Sequence, residues 1–355
     1  MKINMKLVGV SALALVLCGC GGGSEKYAAP KVAEGAFMAV GFNQRQFDKI
    51  QAAALGEKGE SLAKKAWEDA PKEIVEVIKA AGLENAKARW GVLSMGALAL
   101  KEDMELKAAP EVAMAIAVDI DIEKAVAAVR EQQKKAKNED VTIVDSTVAG
   151  VKAWKVVDKA GEFAKLKAEP CFTALDGKLF LAASTLAALE KQIALYRDGK
   201  GASSAFNGFT LADGDLFRLK LLDIGSIVKK SVPNPEETLK MLSMFVPNVD
   251  KIVLGLGTLD FSATTTADNG AAIKLTLGTA SEKDADQLRT LAKTGLMPLT
   301  AQLQESAKKD ADAKTQLALV EGLKIAGAEG KFEANLVISG AILKELAAKA
   351  AQDLK

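Results

Sequence analysis

CFTALDGKLFLAASTLAALEKQI, residues 171–193, decides how the chain is built. Two apolar runs, Cys171–Ala174 and Lys178–Ala183, flank Asp176-Gly177, a dipeptide that tolerates the two positive φ angles of a tight hairpin turn. Ser184 follows as a helix cap, and Leu186, Leu189 and Ile193 fall on one helical stripe. The same order returns near the C-terminus. Glu329-Gly330-Lys331-Phe332 opens a strand that runs to Ile338, and Ser339 starts a helix. A second parallel joins Val112–Val118, leading to Glu123-Lys124, with Ile273–Leu277, leading to Glu282-Lys283. These echoes predict an α+β fold of two similar lobes from an internal duplication, each an antiparallel sheet with helices packed on one face.

The flanking sequence fits that scheme. Ala36–Phe42, Trp90–Leu100, Val141–Val144 and Val151–Val157 read as strands, the last two joined by a turn at Ala149-Gly150. Gln44 to Gly82 is helix-rich, with Ile74, Val75, Val77 and Ile78 as an apolar stripe, and Ile122, Val126 and Val129 mark a helix ending near Lys137. Gly199–Ser204 is rich in glycine and serine, so the lobes are expected to be 36–200 and 201–355. In the second, Asp215–Leu221 reads as a strand, Ile224–Ser231 and Pro235–Phe245 as helices. Lys251–Thr266 reads as a strand pairing across Asn269-Gly270 with Ala271–Gly278. Ser281 caps a long helix, Lys283–Lys308, with a break expected at Gly295–Pro298, and Ala313–Val320 is a further helix. The 62 alanines and 5% aromatic residues suit close helix–sheet packing.

With 355 residues, 49% of them hydrophobic and 26% charged, the chain has the composition of a folding protein. Lys and Arg number 47 against 46 Asp and Glu, which leaves no electrostatic footprint for nucleic acid. Histidine is absent, excluding Ser-His-Asp and Cys-His catalysis and imidazole metal ligands.

The N-terminus reads as an address. Lys2 and Lys6 precede an apolar run, Leu7–Cys18, that would make a helix of about 18 Å. A membrane span needs roughly 20 residues, so this is a signal-peptide core. It ends in Leu17-Cys18-Gly19-Cys20, which resembles the lipobox of bacterial lipoproteins. That resemblance covers residues 1–20 and implies cleavage after residue 19, with Cys20 diacylated on sulfur and then acylated on its new amine. Leu17 is too bulky for the small position before a competing Cys18. Gly21, where Asp would retain the product at an inner membrane, implies the outer membrane, with the body facing the periplasm. The body itself bears a general similarity to uncharacterised bacterial lipoproteins. Residues 20–35 then form a tether, its flexible part of about 14 residues reaching roughly 20 Å. Cleavage would leave Cys20 and Cys171 as the cysteines, and Cys171 opens an apolar stretch as a buried core residue.

No catalytic set assembles. Ser226-Ile-Val-Lys229 and Lys293-Thr-Gly295 match two elements of penicillin-recognising serine enzymes, but S-x-x-K recurs at Ser61–Lys64 and Ser306–Lys309, and no S-D-N lies between them. Asp119, Asp121 and Glu123 read as a solvated helix start, not a calcium loop. Gly255-Leu256-Gly257 lacks the continuation of a phosphate cradle. Trp67, Trp90 and Trp154 are read as core or edge anchors, and the Lys134–Lys137 and Lys308-Lys309 clusters as solvated faces. The expectation is therefore a lipid-anchored, non-enzymatic envelope protein without metal or cofactor, acting as a binding or scaffolding module. Its partners would be the membrane, through Cys20, and an envelope protein. The alternative is a periplasmic carrier of a lipid or other apolar ligand in a sheet–helix groove.

Overall fold

A computed structural model describes residues 28–56, 70, 72–84, 86, 88–96, 110–135, 140–207, 209–211, 214–231, 237, 239–240 and 248–353. They fall into two compact units, residues 1–48 with 56–211 and residues 49–55 with 212–355.

The first unit contains β1 (Ala36–Asn43), the start of α1 (Gln44–Leu55), α2 (Lys72–Ala81), β2 (Trp90–Gly96), β3 (Val112–Ala117) and α3 (Ile122–Lys135). It continues with β4 (Val141–Val148), β5 (Val151–Asp158), α4 (Glu162–Lys165), β6 (Cys171–Leu175), β7 (Leu179–Ala183) and α5 (Leu186–Arg197). Its strands lie in the order β1-β2-β3-β7-β6-β5-β4, each neighbour antiparallel. Asp176 and Gly177 take the expected left-handed turn, at φ 52 and 66, as do Ala149 and Gly150 at 50 and 76.

Helices cover both faces of this sheet, which corrects the expected one-sided packing. On one face Ile116, Phe180, Phe172 and Trp154 join Ile78 of α2 and Ile122, Ala125 and Val126 of α3 in one buried cluster. The other face carries Ala115, Ala117 and Leu181. There Trp90 stacks on Tyr196 of α5 with ring centroids 6.2 Å apart, and Leu189, Ile193 and Leu195 of α5 are fully buried. The cause is visible in β3 and β7: their side chains are apolar at successive positions, so both faces must be shielded from water.

Three local expectations in this unit change. The cap of α5 is Thr185, whose hydroxyl accepts from the amide of Ala188 at 3.2 Å. Ser184 is taken elsewhere, accepting from Val112 N and donating to the Pro110 carbonyl at 2.6 Å, which ties β7 to the entry of β3. Gly199–Ser204 stays within the first unit, since Ala202 bridges Ala33 and Ser203 N donates to the Val32 carbonyl. The end of the expected tether is therefore docked. Lys31 N donates to the Tyr196 hydroxyl, which donates back to the Lys31 carbonyl.

The second unit contains β8 (Asp215–Leu222), α6 (Ile224–Ser231), α7 (Val249–Leu254), β9 (Thr258–Thr265), β10 (Ala271–Gly278) and α8 (Glu282–Ser306). α9 (Ala311–Gly322), β11 (Lys324–Ala326), β12 (Lys331–Ile338) and α10 (Gly340–Asp353) complete it. Its strand order is β8-β9-β10-β12-β11, again antiparallel. Glu329 and Gly330 repeat the left-handed turn at φ 56 and 74. Both units run strand, helices, two paired strands, helix, then a hairpin whose second strand returns beside the third; the first unit adds β4 and β5.

Residues 251–257 are not strand, contrary to the reading of Lys251–Thr266 as one strand. Val249–Leu254 form a short helix that Gly255 ends, because Ile252 is pulled into the core at 2% exposure. Nor does α8 break at Pro298. The missing proline N–H leaves the Thr294 carbonyl without its helical donor, but both residues are exposed and water can serve that carbonyl. Pro235–Phe245 lies largely outside the described residues.

Candidate functional site

Cys20, the residue expected to carry acyl chains, lies outside the described residues, as do Trp67 and the Ser61–Lys64 motif. The remaining chemical candidates are scattered. Ser226 and Lys229 lie on α6, while Lys293–Gly295 sits inside α8, where the penicillin-enzyme pattern needs a strand. Asp121 accepts from the Lys124 amide at 3.0 Å, the role of a helix cap, and Glu123 pairs with Lys152 at 2.9 Å. Burial raises the Cys171 thiol to about 12, so it stays protonated at neutral pH and is no nucleophile. Trp154 stacks on Phe172 at 5.8 Å within the core. Among the described residues no group of three or more Cys, Asp or Glu is placed to hold a metal ion.

Two surfaces remain. The first is an open groove of about 480 Å³ between α3 and the β4–β5 hairpin. Its rim is charged but largely neutralised from within, Glu123 by Lys152, Arg130 by Asp145 at 3.1 Å and Glu131 by Lys135. Such exposed pairs give the rim no net preference for an ion of either sign.

The second is one face of the second sheet. Register fixes its members: Phe217 and Leu219 of β8 lie beside Ala263 and Phe261 of β9, then Ile273 and Leu275 of β10. Leu221, Leu259 and Leu277 extend the same face. Every one of these apolar side chains on β8, β9 and β10 is only half-buried. The comparable positions of the first sheet are sealed, Ile116 at 1% and Phe180 at 4% exposure. Cover is best toward β12, where α8 and α9 pack and where Phe332 and Ile338 are buried. Full burial of a Leu or Phe stabilises by roughly 1.5–3 kcal/mol, so this face leaves part of its driving force unused. An apolar guest would collect it. The opposite face of the same strands is polar and self-paired, with Arg218 on Asp260 at 2.8 Å and Lys274 on Glu333 at 2.9 Å.

The strands of this face are legible in the sequence; its openness is not. Alternation names which residues share a face, whereas coverage depends on where distant helices land.

No protein-family model matches the chain, and no curated protein matches it. Among solved structures, crystal form I of TP0453 aligns over 91% of this chain and 99% of its own, with 8% identity and a TM-score of 0.38. A superposition that loose carries no weight for fold or function. Among the described residues no helix is long and apolar enough to cross a membrane.

Proposed function

We propose that the chain is a non-enzymatic, lipid-anchored protein of the cell envelope, held through Cys20 at the periplasmic side of an outer membrane, whose second unit binds the acyl chain of a lipid. The half-buried apolar face of β8–β10 carries this reading and favours the carrier over a scaffold. An eight-residue strand at about 3.3 Å per residue is roughly 26 Å long. One leaflet contributes about half of a hydrocarbon core of roughly 30 Å. One acyl chain therefore fits lengthwise on the face. The signal sequence supports the choice of guest, because it places the body beside a bilayer, where acyl chains are the abundant apolar ligand.

We further infer that the two units are duplicated lobes. The common order of strands and helices supports it, together with the left-handed Asp176-Gly177 and Glu329-Gly330 turns before the last strand of each.

Native mass spectrometry of the chain from Ser24, purified without detergent, tests the ligand. A stoichiometric lipid mass that disappears in Leu275→Asp is expected, and a bare mass in the parent protein refutes the carrier. Radiolabelled palmitate tests the anchor separately: it should enter the intact product and be lost in Cys20→Ser.

A further inference from the structure

We propose that the outer edge of β4 pairs antiparallel with the same edge of a second copy of this chain, the two-fold axis passing at Ser146. The register of the β4–β5 hairpin shows which backbone groups face outward. Val148 and Val151 close a two-residue turn, so Val148, Ser146, Val144 and Thr142 exchange hydrogen bonds with β5. Val141, Ile143, Asp145 and Thr147 therefore point their N–H and C=O away from it. The side chains of α3 agree with this. Gln133 Nε2 donates to the Val141 carbonyl at 2.7 Å, and Arg130 donates to the Ile143 carbonyl from Nη2 at 2.9 Å and Nε at 3.2 Å. The carbonyls of half of the outward residues are capped in this way. The outward backbone groups of Asp145 and Thr147 meet no protein partner among the described residues, and both residues are exposed.

Open strand edges are usually protected by charged side chains, proline or a bulge. The uncapped end of VTIVDSTV has no proline and no bulge, and its one charge, Asp145, is paired with Arg130 at 3.1 Å. A second copy fits because symmetry makes the edge self-complementary. With the axis at Ser146, Asp145 lies opposite the partner's Thr147, a carboxylate facing a hydroxyl and not another carboxylate, and Val144, 42% exposed, lies opposite the partner's Val148. Asp145 and Thr147 then exchange four backbone hydrogen bonds with their counterparts. Moving the axis toward Val144 runs into the Arg130 and Gln133 caps, and moving it toward Val148 runs into the turn, so the register is fixed. A contact this short is weak in dilute solution and is populated where copies share one surface.

In this pairing Ser146 faces its counterpart as a non-hydrogen-bonded pair with Cα atoms about 4.5 Å apart, within disulfide range. The full chain carrying Ser146→Cys is expressed in a bacterial host, oxidised mildly and run on a non-reducing gel beside the parent chain. A disulfide-linked dimer is expected, at least about tenfold more abundant than with Thr142→Cys, which sits on the same strand face beside the caps. Adding Thr147→Pro should reduce the dimer about tenfold, since it removes an outward N–H and leaves the β4–β5 ladder intact. Thr147→Asp, which places carboxylates face to face without touching the backbone, should do the same. No dimer from Ser146→Cys, equal crosslinking at Thr142→Cys, or a dimer indifferent to both Thr147 variants overturns the proposal.

Discussion

Replacing one leucine in each sheet separates a sealed core from an open one. Leu181 of β7 is fully buried, whereas Leu275 of β10 is half-buried. Leu181→Ala removes three carbons worth about 0.8 kcal/mol each, about 2.4 kcal/mol of transfer energy. The closed hole left behind raises the loss to about 2.7–5 kcal/mol. Leu275→Ala, at a side chain still at least about two-thirds buried, forfeits about 1.6–2.2 kcal/mol of transfer energy and leaves no closed hole. For units of this size each kcal/mol moves Tm by about 2–4 °C. Scanning calorimetry on lipid-stripped protein should therefore show a fall of about 5–20 °C for Leu181→Ala and about 3–9 °C for Leu275→Ala. Equal falls would mean that the second sheet is as well covered in solution as the first, and the case for a guest on that face would be lost.

Three further outcomes are expected. Arg130→Ala with Gln133→Ala uncovers the Ile143 and Val141 carbonyls and doubles the open length of the β4 edge; stability should change by less than about 1 kcal/mol, while light scattering on warming should rise sharply. Thr185→Ala removes the hydroxyl that caps α5 and should cost about 0.5–2 kcal/mol in urea unfolding, with Ser184→Ala adding to it because that hydroxyl bridges Pro110 and Val112. Asp268 is held below its ordinary 3.8 by the Thr266 hydroxyl first and the Gly340 amide second. Its folded pKa is depressed, so its stabilisation is complete above 3.8 and is lost as pH falls through the lower folded value. Amide exchange at the start of α10 should therefore quicken on strong acidification, a step that Asp268→Asn abolishes.

Local chemistry made much of the fold readable. The Ala149-Gly150 and Asp176-Gly177 turns and the Ser281 cap, which accepts from Asp284 N at 3.2 Å, need only neighbours in sequence, and each lies where its residues indicate. Competition between adjacent hydroxyls was not readable. Ser184 and Thr185 both suit a cap, and the choice is made by β3, which is distant in sequence and claims Ser184. Lys251–Leu254 fails for the same reason, since a buried place for Ile252 outweighs strand propensity. The two-sided burial of the first sheet was written in the unbroken apolar runs VAMAIA and LFLAA, where alternation is missing. The half-covered face of the second sheet had no such trace. Its strands alternate like those of an ordinary core, and the gap arises from where helices settle.

The placement of Trp90, Trp154 and Tyr196 has an optical consequence. All three belong to the first unit, and the sequence holds no tryptophan or tyrosine after Tyr196. Intrinsic emission excited near 295 nm thus reports on one half of the molecule, and the second unit could melt or take up a guest in the dark. Phe261→Trp would place a lamp on the half-covered face, where a blue shift on loading would signal the arrival of a chain.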